Sequence, residues 1–339
     1  MKKILFTLVC LLGIGMAASA FNNSAVVLLH NGNATTYEAN QINDAMEAAQ
    51  DGDVVMLSEG TYPAFDITKK ITIKGVGQTT IIGGDVNIAI PNEPTLNANL
   101  MEFLTVTGYV YVKEPVNRMV IKQCVFDYYN SNGSGHGFWV KAKVTDSYID
   151  RCKIDALWID ECYQETITVN GNTSTIATPY VQGLTISNSI ITRAIGVSCG
   201  PSNYDYYIST GATFLNCYIR TGSHSLGKVI NSIIKDNASS YWFQCTDFVN
   251  TFLRKNKTSY NPVNCTLTNC YLDDDTDLNY DSDAIAANGY LGNDGTIIGP
   301  LGGNTPYTLE PAVPTVTESS MKVDTDKQQL QVTLTVSPK

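Results

Sequence analysis

The residues best suited to chemistry lie between Asp127 and Arg193. The densest run is Asp150-Arg151-Cys152-Lys153-Ile154-Asp155-Ala156-Leu157-Trp158-Ile159-Asp160-Glu161. Asp127 and Asp150 each follow the final apolar residue of a recurring six-residue phrase, so in stacked coils they would lie about one strand spacing apart, ~4.8 Å. Two carboxylates that close repel unless a proton or cation intervenes. A hard, oxygen-seeking cation such as calcium would suit them, which makes Asp127 and Asp150 the candidate metal pair. Arg151, Lys153 and Asp160 are the candidate catalytic groups, placed to move a proton nearby. Trp158 and Tyr163 could stack on sugar rings, and Arg193 projects into the same scheme as a further binding residue. The alternative is a solvated face carrying ordinary turn charges.

Other candidates carry less chemistry. Asp273-Asp274-Asp275-Thr276-Asp277, followed by Asp281 and Asp283, is a second acidic run. It lacks the glycine turn and terminal glutamate of a helix-loop-helix calcium loop. Tyr204-Asp205-Tyr206-Tyr207 and Tyr241-Trp242 are aromatic patches in loops. No C-x-x-C occurs and there are 3 histidines, which argues against zinc.

The phrase that would position these groups reads apolar, any, Asn/Asp/Gln, Cys/Ser, any, apolar. Its copies begin at Ile121, Val144, Ile186, Phe214, Val229 and Leu267. The Cys/Ser position advances by 23, 42, 28, 15 and 38 residues. Most of these steps fit one or two turns of a solenoid with coils of ~20–25 residues. Strands, each followed by a corner and stacked in parallel, would make an interior column from the apolar positions. The Asn/Asp/Gln positions could then form an amide ladder. Exchange of Cys with Ser at 124, 147, 189, 217, 232 and 270 implies a tight inward site for a small side chain and favours free thiols.

The chain begins with Lys2-Lys3, an apolar run from Ile4 to Met16, and Ala18-Ser19-Ala20, the pattern of a cleaved secretory signal. This predicts an exported protein that is periplasmic, cell-surface or secreted, with no transmembrane segment in the mature chain. Without Lys2 and Lys3 the charge falls from −10 to −12, which disfavours nucleic acid as a partner. Asn40 to Gln50 reads as a helix with Ile42, Ala45, Met46 and Ala49 on one apolar face. Asp51-Gly52-Asp53 ends it, and Val54-Val55-Met56-Leu57, Ile71-Thr72-Ile73-Lys74-Gly75 and Thr80-Ile81-Ile82 follow as strands. After Pro311 and Pro314, Val316–Val323 and Leu330–Val336 read as two more strands.

Residues 42–62, with helix, D-G-D turn, strand and G-T-Y turn in sequence and I-T-I-K-G after them, resemble the opening of the pectate-lyase-like right-handed parallel β-helix superfamily. The chain also resembles exported β-helix proteins of Bacteroidetes with no assigned activity. Asp294-Gly295-Thr296-Ile297-Ile298-Gly299-Pro300-Leu301-Gly302-Gly303 is similar to the closing segment of such proteins. The resemblance implies an all-β fold: one right-handed parallel β-helix over 21–310, a helical cap near 40–50, and a C-terminal strand closure or tail over 311–339.

Superfamily members include lyases, hydrolases, adhesins and tailspikes, so fold does not supply function. Of the polygalacturonase signature only Gly135-His136-Gly137 is present, and Arg151-Cys152-Lys153 stands where R-I-K would be wanted. The expected role is a glycan-associated surface or envelope protein, its partner a polysaccharide or cell-surface glycan. A protein partner could meet the C-terminal hairpin. The rival is a calcium-dependent polysaccharide lyase or glycoside hydrolase acting on uronic-acid-containing glycans through the 127–161 face.

Overall fold

A computed structural model describes residues 24–96, 98–127, 137–159, 162–170, 172–195, 210–223, 225–236, 243, 246–254, 265–273, 278–281, 283–310, 315–324 and 329–337. The expected signal segment, Gly135-His136, Asp160, Glu161, Tyr204–Tyr207, Tyr241-Trp242 and most of the second acidic run lie outside them. The fold is all-β, dominated by two long sheets of parallel strands, and is consistent with a parallel β-helix. Among the described residues no helix is long and apolar enough to cross a membrane.

The chain alternates between the two sheets. Val54–Leu57, Thr72–Lys74, Met101–Glu102, Val120–Lys122, Val144–Asp150, Val181–Ser187, Gly211–Leu215, Lys228–Ile230, Asp247–Val249 and Thr266–Thr268 follow one another in the first sheet. Gly60–Tyr62, Thr80–Ile82, Thr105–Val106, Val125–Phe126, Lys153–Trp158, Ile190–Ile195, Tyr218–Ser223, Ile233–Asp236, Phe252–Arg254 and Tyr271–Asp273 do so in the second. Register brings like residues together. Ile121, Ile149, Ile186, Phe214, Val229 and Phe248 form one buried column. Phe126, Ile154, Ile191, Ile219, Ile234 and Leu253 form another. The gain is the removal of apolar surface from water, roughly 1.5–3 kcal/mol for each fully buried side chain.

The recurring phrase is the corner between the sheets. Gln123, Arg151, Asn188, Asn216, Asn231, Asn250 and Asn269 all have φ between 45° and 52°. Asn visits this left-handed region more readily than other side-chain-bearing residues, which explains its dominance here. The next residue is Cys124, Cys152, Ser189, Cys217, Ser232, Thr251 or Cys270. Its oxygen or sulfur bonds the carbonyl two residues back, as from Ser189 to Ser187 (2.6 Å) and from Cys217 to Leu215 (3.4 Å). In several coils it also accepts a backbone N–H from the coil before: Cys124 N to Cys152 Sγ, Cys152 N to Ser189 Oγ, and Cys217 N to Ser232 Oγ. A small side chain with both a donor and an acceptor is therefore required, beyond mere smallness. Cys124, Cys152, Cys217, Cys265 and Cys270 are free thiols.

Two expectations need correction. The copy at 144–149 is not in this column, because its coil turns at Arg151-Cys152. Asp146, with φ 47°, belongs to a second column of left-handed residues with Arg118 and Gly183. The amide ladder is also mostly absent. Asn250 Nδ2 reaches Asn231 Oδ1 at 3.3 Å, but the other described bonds from these amides go to a return segment. That segment runs back along the corner: Asn231 exchanges two hydrogen bonds with Asn293, Asn188 Nδ2 donates to Gly302 O at 2.9 Å, and Gln123 Nε2 donates to Thr308 O.

The helix falls within the expected span 40–50. Ile42, Ala45, Met46 and Ala49, on and just after the helix Ile42–Ala48, are buried in the main core. Lys69 Nζ caps the C-terminal carbonyls of that helix at Met46, Glu47 and Ala49, where a cation also meets the negative end of the helix dipole. Farther along the chain, Leu278, Ile285 and Ile298 pack on Ile190, Tyr218, Ile233 and Phe252, register partners on successive coils of the second sheet. Glu310–Lys339 is a separate unit. It holds the antiparallel hairpin Thr315–Asp324 with Gln329–Ser337.

Candidate functional site

The strand Lys153–Trp158 sits in the second sheet, between Val125–Phe126 and Phe138–Val140 of one coil and Ile190–Ile195 of the next. Ile154 and Leu157 point inward and are fully buried, while Lys153 is exposed and Asp155 and Trp158 are half-buried. Two outer rows cross this strand.

The first row is ionic. Asp127, Asp155, Thr192 and Arg220 stand one residue beyond paired apolar positions, and so follow each other coil by coil. Burial pushes the Asp155 carboxyl above its usual range, and the Asp127 charge pushes it further. A hydrogen bond from Thr192 and the charges of Arg193 and Lys153 oppose this in part. Two neighbouring carboxyl groups in unlike settings, one half-buried and one exposed, are the arrangement from which an acid and a base can be drawn.

The second row is aromatic. Asp66, Asn87, Tyr111, Trp139 and Trp158 are in register on successive coils. The Tyr111 and Trp139 ring centroids are 5.9 Å apart, those of Trp139 and Trp158 are 5.6 Å apart, and Tyr109 stacks on Tyr111 at 5.0 Å. Lys141 Nζ lies 3.7 Å from the Trp139 ring centre and 4.9 Å from that of Tyr111, and Lys113 Nζ lies 5.4 Å from Tyr111. Toward the N-terminal end the row runs into a cleft of about 480 Å³ lined by residues that include Asn43, Glu47, Asp66, Lys69, Asp85 and Asn87. Asn87 Nδ2 donates to Asp66 Oδ1, both among the lining residues.

The expected residues divide. Asp127, Lys153, Trp158 and Arg193 do share the outer face of the second sheet. Asp150 and Arg151 do not. Asp150 is in the first sheet, in register with Lys122 and Ser187, and is 4% exposed. It accepts hydrogen bonds from Ser187 Oγ (2.8 Å) and Arg151 Nε (2.7 Å), and Tyr148 Oη lies 2.6 Å from the same Ser187 hydroxyl. Asp127 and Asp150 therefore do not stack: the Arg151 corner lies between their columns, and the carboxylate beside Asp127 is Asp155. Arg151 is engaged in holding a buried charge. Among the described residues no group of three or more His, Cys, Asp or Glu is arranged to hold a metal ion. Asp160 and the Tyr163 side chain lie outside the described residues. The Tyr163 backbone belongs to the hairpin Cys162–Val169 with Asn172–Pro179.

No family model, curated protein or solved structure matches this chain. Tyr109, Tyr111, Trp139, Lys113 and Lys141 escaped the sequence reading, although a signal was present. Tyr111-Val112-Lys113 and Trp139-Val140-Lys141 repeat an aromatic-Val-Lys triplet. Their valines are buried while the flanking residues face outward, the period-2 pattern of a strand with one wet face.

Proposed function

We propose that this protein is an exported, right-handed parallel β-helix that binds polysaccharide along the outer face of its second sheet. The aromatic row carries this reading. Half-buried rings on a rigid sheet present apolar edges and faces at regular intervals, the surface to which the C–H faces of sugars adhere. The adjoining cleft supplies amide and carboxylate groups suited to hydroxyls. Closely packed strands fix the rings before any ligand arrives, which lowers the ordering cost of binding. Affinity electrophoresis of the full chain against a panel of soluble polysaccharides tests it. Wild-type protein is retarded by at least one glycan, and Trp139→Ala and Trp158→Ala, if folded by circular dichroism, lose most of that retardation. Equal retardation of wild-type and variants would remove the row from the site.

A second reading is favoured by the Asp127–Asp155 pair: glycoside hydrolysis, with Asp155, whose hold on its proton burial strengthens, as the acid and Asp127 as the base or nucleophile. The calcium-dependent lyase version loses its support, since it needed Asp127 beside Asp150. Release of reducing ends from the bound glycan, abolished by Asp155→Asn, would establish the hydrolase. Binding with no released ends would leave a binding protein. The hairpin Thr315–Asp324/Gln329–Ser337 is the segment we assign to a protein partner.

A further inference from the structure

We infer that the polysaccharide held by this face is anionic, and that Lys113 and Lys141 bind its carboxylate or sulfate groups. This rests on the glycan reading of the aromatic row and adds the charge of the ligand. The two lysines stand one residue beyond the paired Val112 and Val140, so they are neighbours on successive coils, about one strand spacing apart, ~4.8 Å. Each follows an aromatic residue at i+2, and each ammonium is drawn over those rings. A ring's quadrupole positions a cation but leaves its charge intact. Neither lysine has a carboxylate at ion-pair distance among the described residues. Lys74, Lys143 and Arg151 do, through Glu102, Glu93 and Asp150.

Two adjacent ammonium groups with no ion-pair partner among the described residues repel one another until an anion lies between them. A carboxylate or sulfate has oxygens enough to accept from both, in charge-assisted hydrogen bonds. The alternation of ring and ammonium along each strand then matches a sugar that offers a C–H face and a charged substituent side by side. The setting sharpens the point: the whole chain carries −10, so a polyanion is repelled elsewhere and must find a local concentration of positive charge.

The test compares a neutral glucan, a polyuronate and a sulfated polysaccharide by isothermal titration with the full chain, in low and high salt. Wild-type protein prefers one anionic polymer over the neutral one by about tenfold or more, the scale of one charge-assisted hydrogen bond, and the preference shrinks with salt. The polyuronate and sulfate arms identify which anion is read. In Lys113→Gln/Lys141→Gln the affinity for that polymer falls to the neutral level, whereas Lys113→Arg/Lys141→Arg keeps the preference. A glutamine variant that still prefers the polyanion overturns the inference. So does a wild type that binds the neutral glucan equally well, although glycan binding then survives. A folded wild type that binds none of the three overturns both.

Discussion

Replacing Cys217 tests the coil register directly. Cys217 is fully buried, its Sγ 3.4 Å from Leu215 O and 3.3 Å from Ile186 O. Ser189 and Ser232 hold the same place in the flanking coils, so Cys217→Ser keeps both donor and acceptor and is expected to cost about 1 kcal/mol or less. Cys217→Leu adds volume to a closed column, for ~1–3 kcal/mol, and leaves a buried carbonyl without its donor, for about 1 kcal/mol more. Taking roughly 2–4 °C per kcal/mol for a chain above 150 residues, the leucine variant should melt several degrees lower and the serine variant near wild type. A pH arm adds an independent readout. Burial pushes the Cys217 thiol up to about 12 from 9.0. The unfolded thiol thus ionises first, and stability present below pH 9 is lost as pH rises toward 12, by up to ~4 kcal/mol. Urea unfolding at pH 8 and pH 10.5 should show a smaller alkaline loss in Cys217→Ser than in wild type. A leucine variant as stable as wild type, or a serine variant with the full alkaline loss, would show that residue 217 is not in the interior column.

Two other outcomes are expected. Asn188→Ala removes the hydrogen bond to Gly302 and places alanine at φ 45°, for about 2 kcal/mol, whereas Asn188→Gly recovers the backbone part of that loss. Equal destabilisation by both, in urea unfolding, would contradict the assigned left-handed strain. Asp155→Asn should be more stable than wild type at pH 7. The folded-state pKa of Asp155 is raised, so the carboxyl favours folding below its unfolded pKa and loses that contribution as pH rises through the folded value. The difference should vanish near pH 3.5, and a variant less stable than wild type at pH 7 would refute the burial of this group.

The repeat architecture was legible because a stack of coils converts each structural need into a recurring residue type. The Asn-Cys/Ser dipeptide marked the corner since few residues tolerate the left-handed turn and fewer still can follow it with a small donor–acceptor. The helix over Ile42–Ala48 was legible from the spacing of Ile42, Ala45, Met46 and Ala49, all of which are buried. The site was read less well. Asp127 and Asp150 were aligned by their place after an apolar residue, but the copy at 144–149 belongs to another column. That one slip put Asp150 in the wrong sheet, because Asp150 precedes the corner at Arg151 while Asp127 follows the corner at Gln123.

Local spacing along the chain therefore carries the strands, the corners and the inward residues, each of which answers to backbone geometry within a few positions. Which outer residues meet is another matter. Asp155 finds Asp127, Trp158 finds Trp139, and Trp139 finds Tyr111, across coils whose lengths differ from one to the next. Those lengths depend on insertions that leave the apolar pattern unchanged, so the neighbours of an outward side chain are set by the stacking of whole coils and not by any spacing within them.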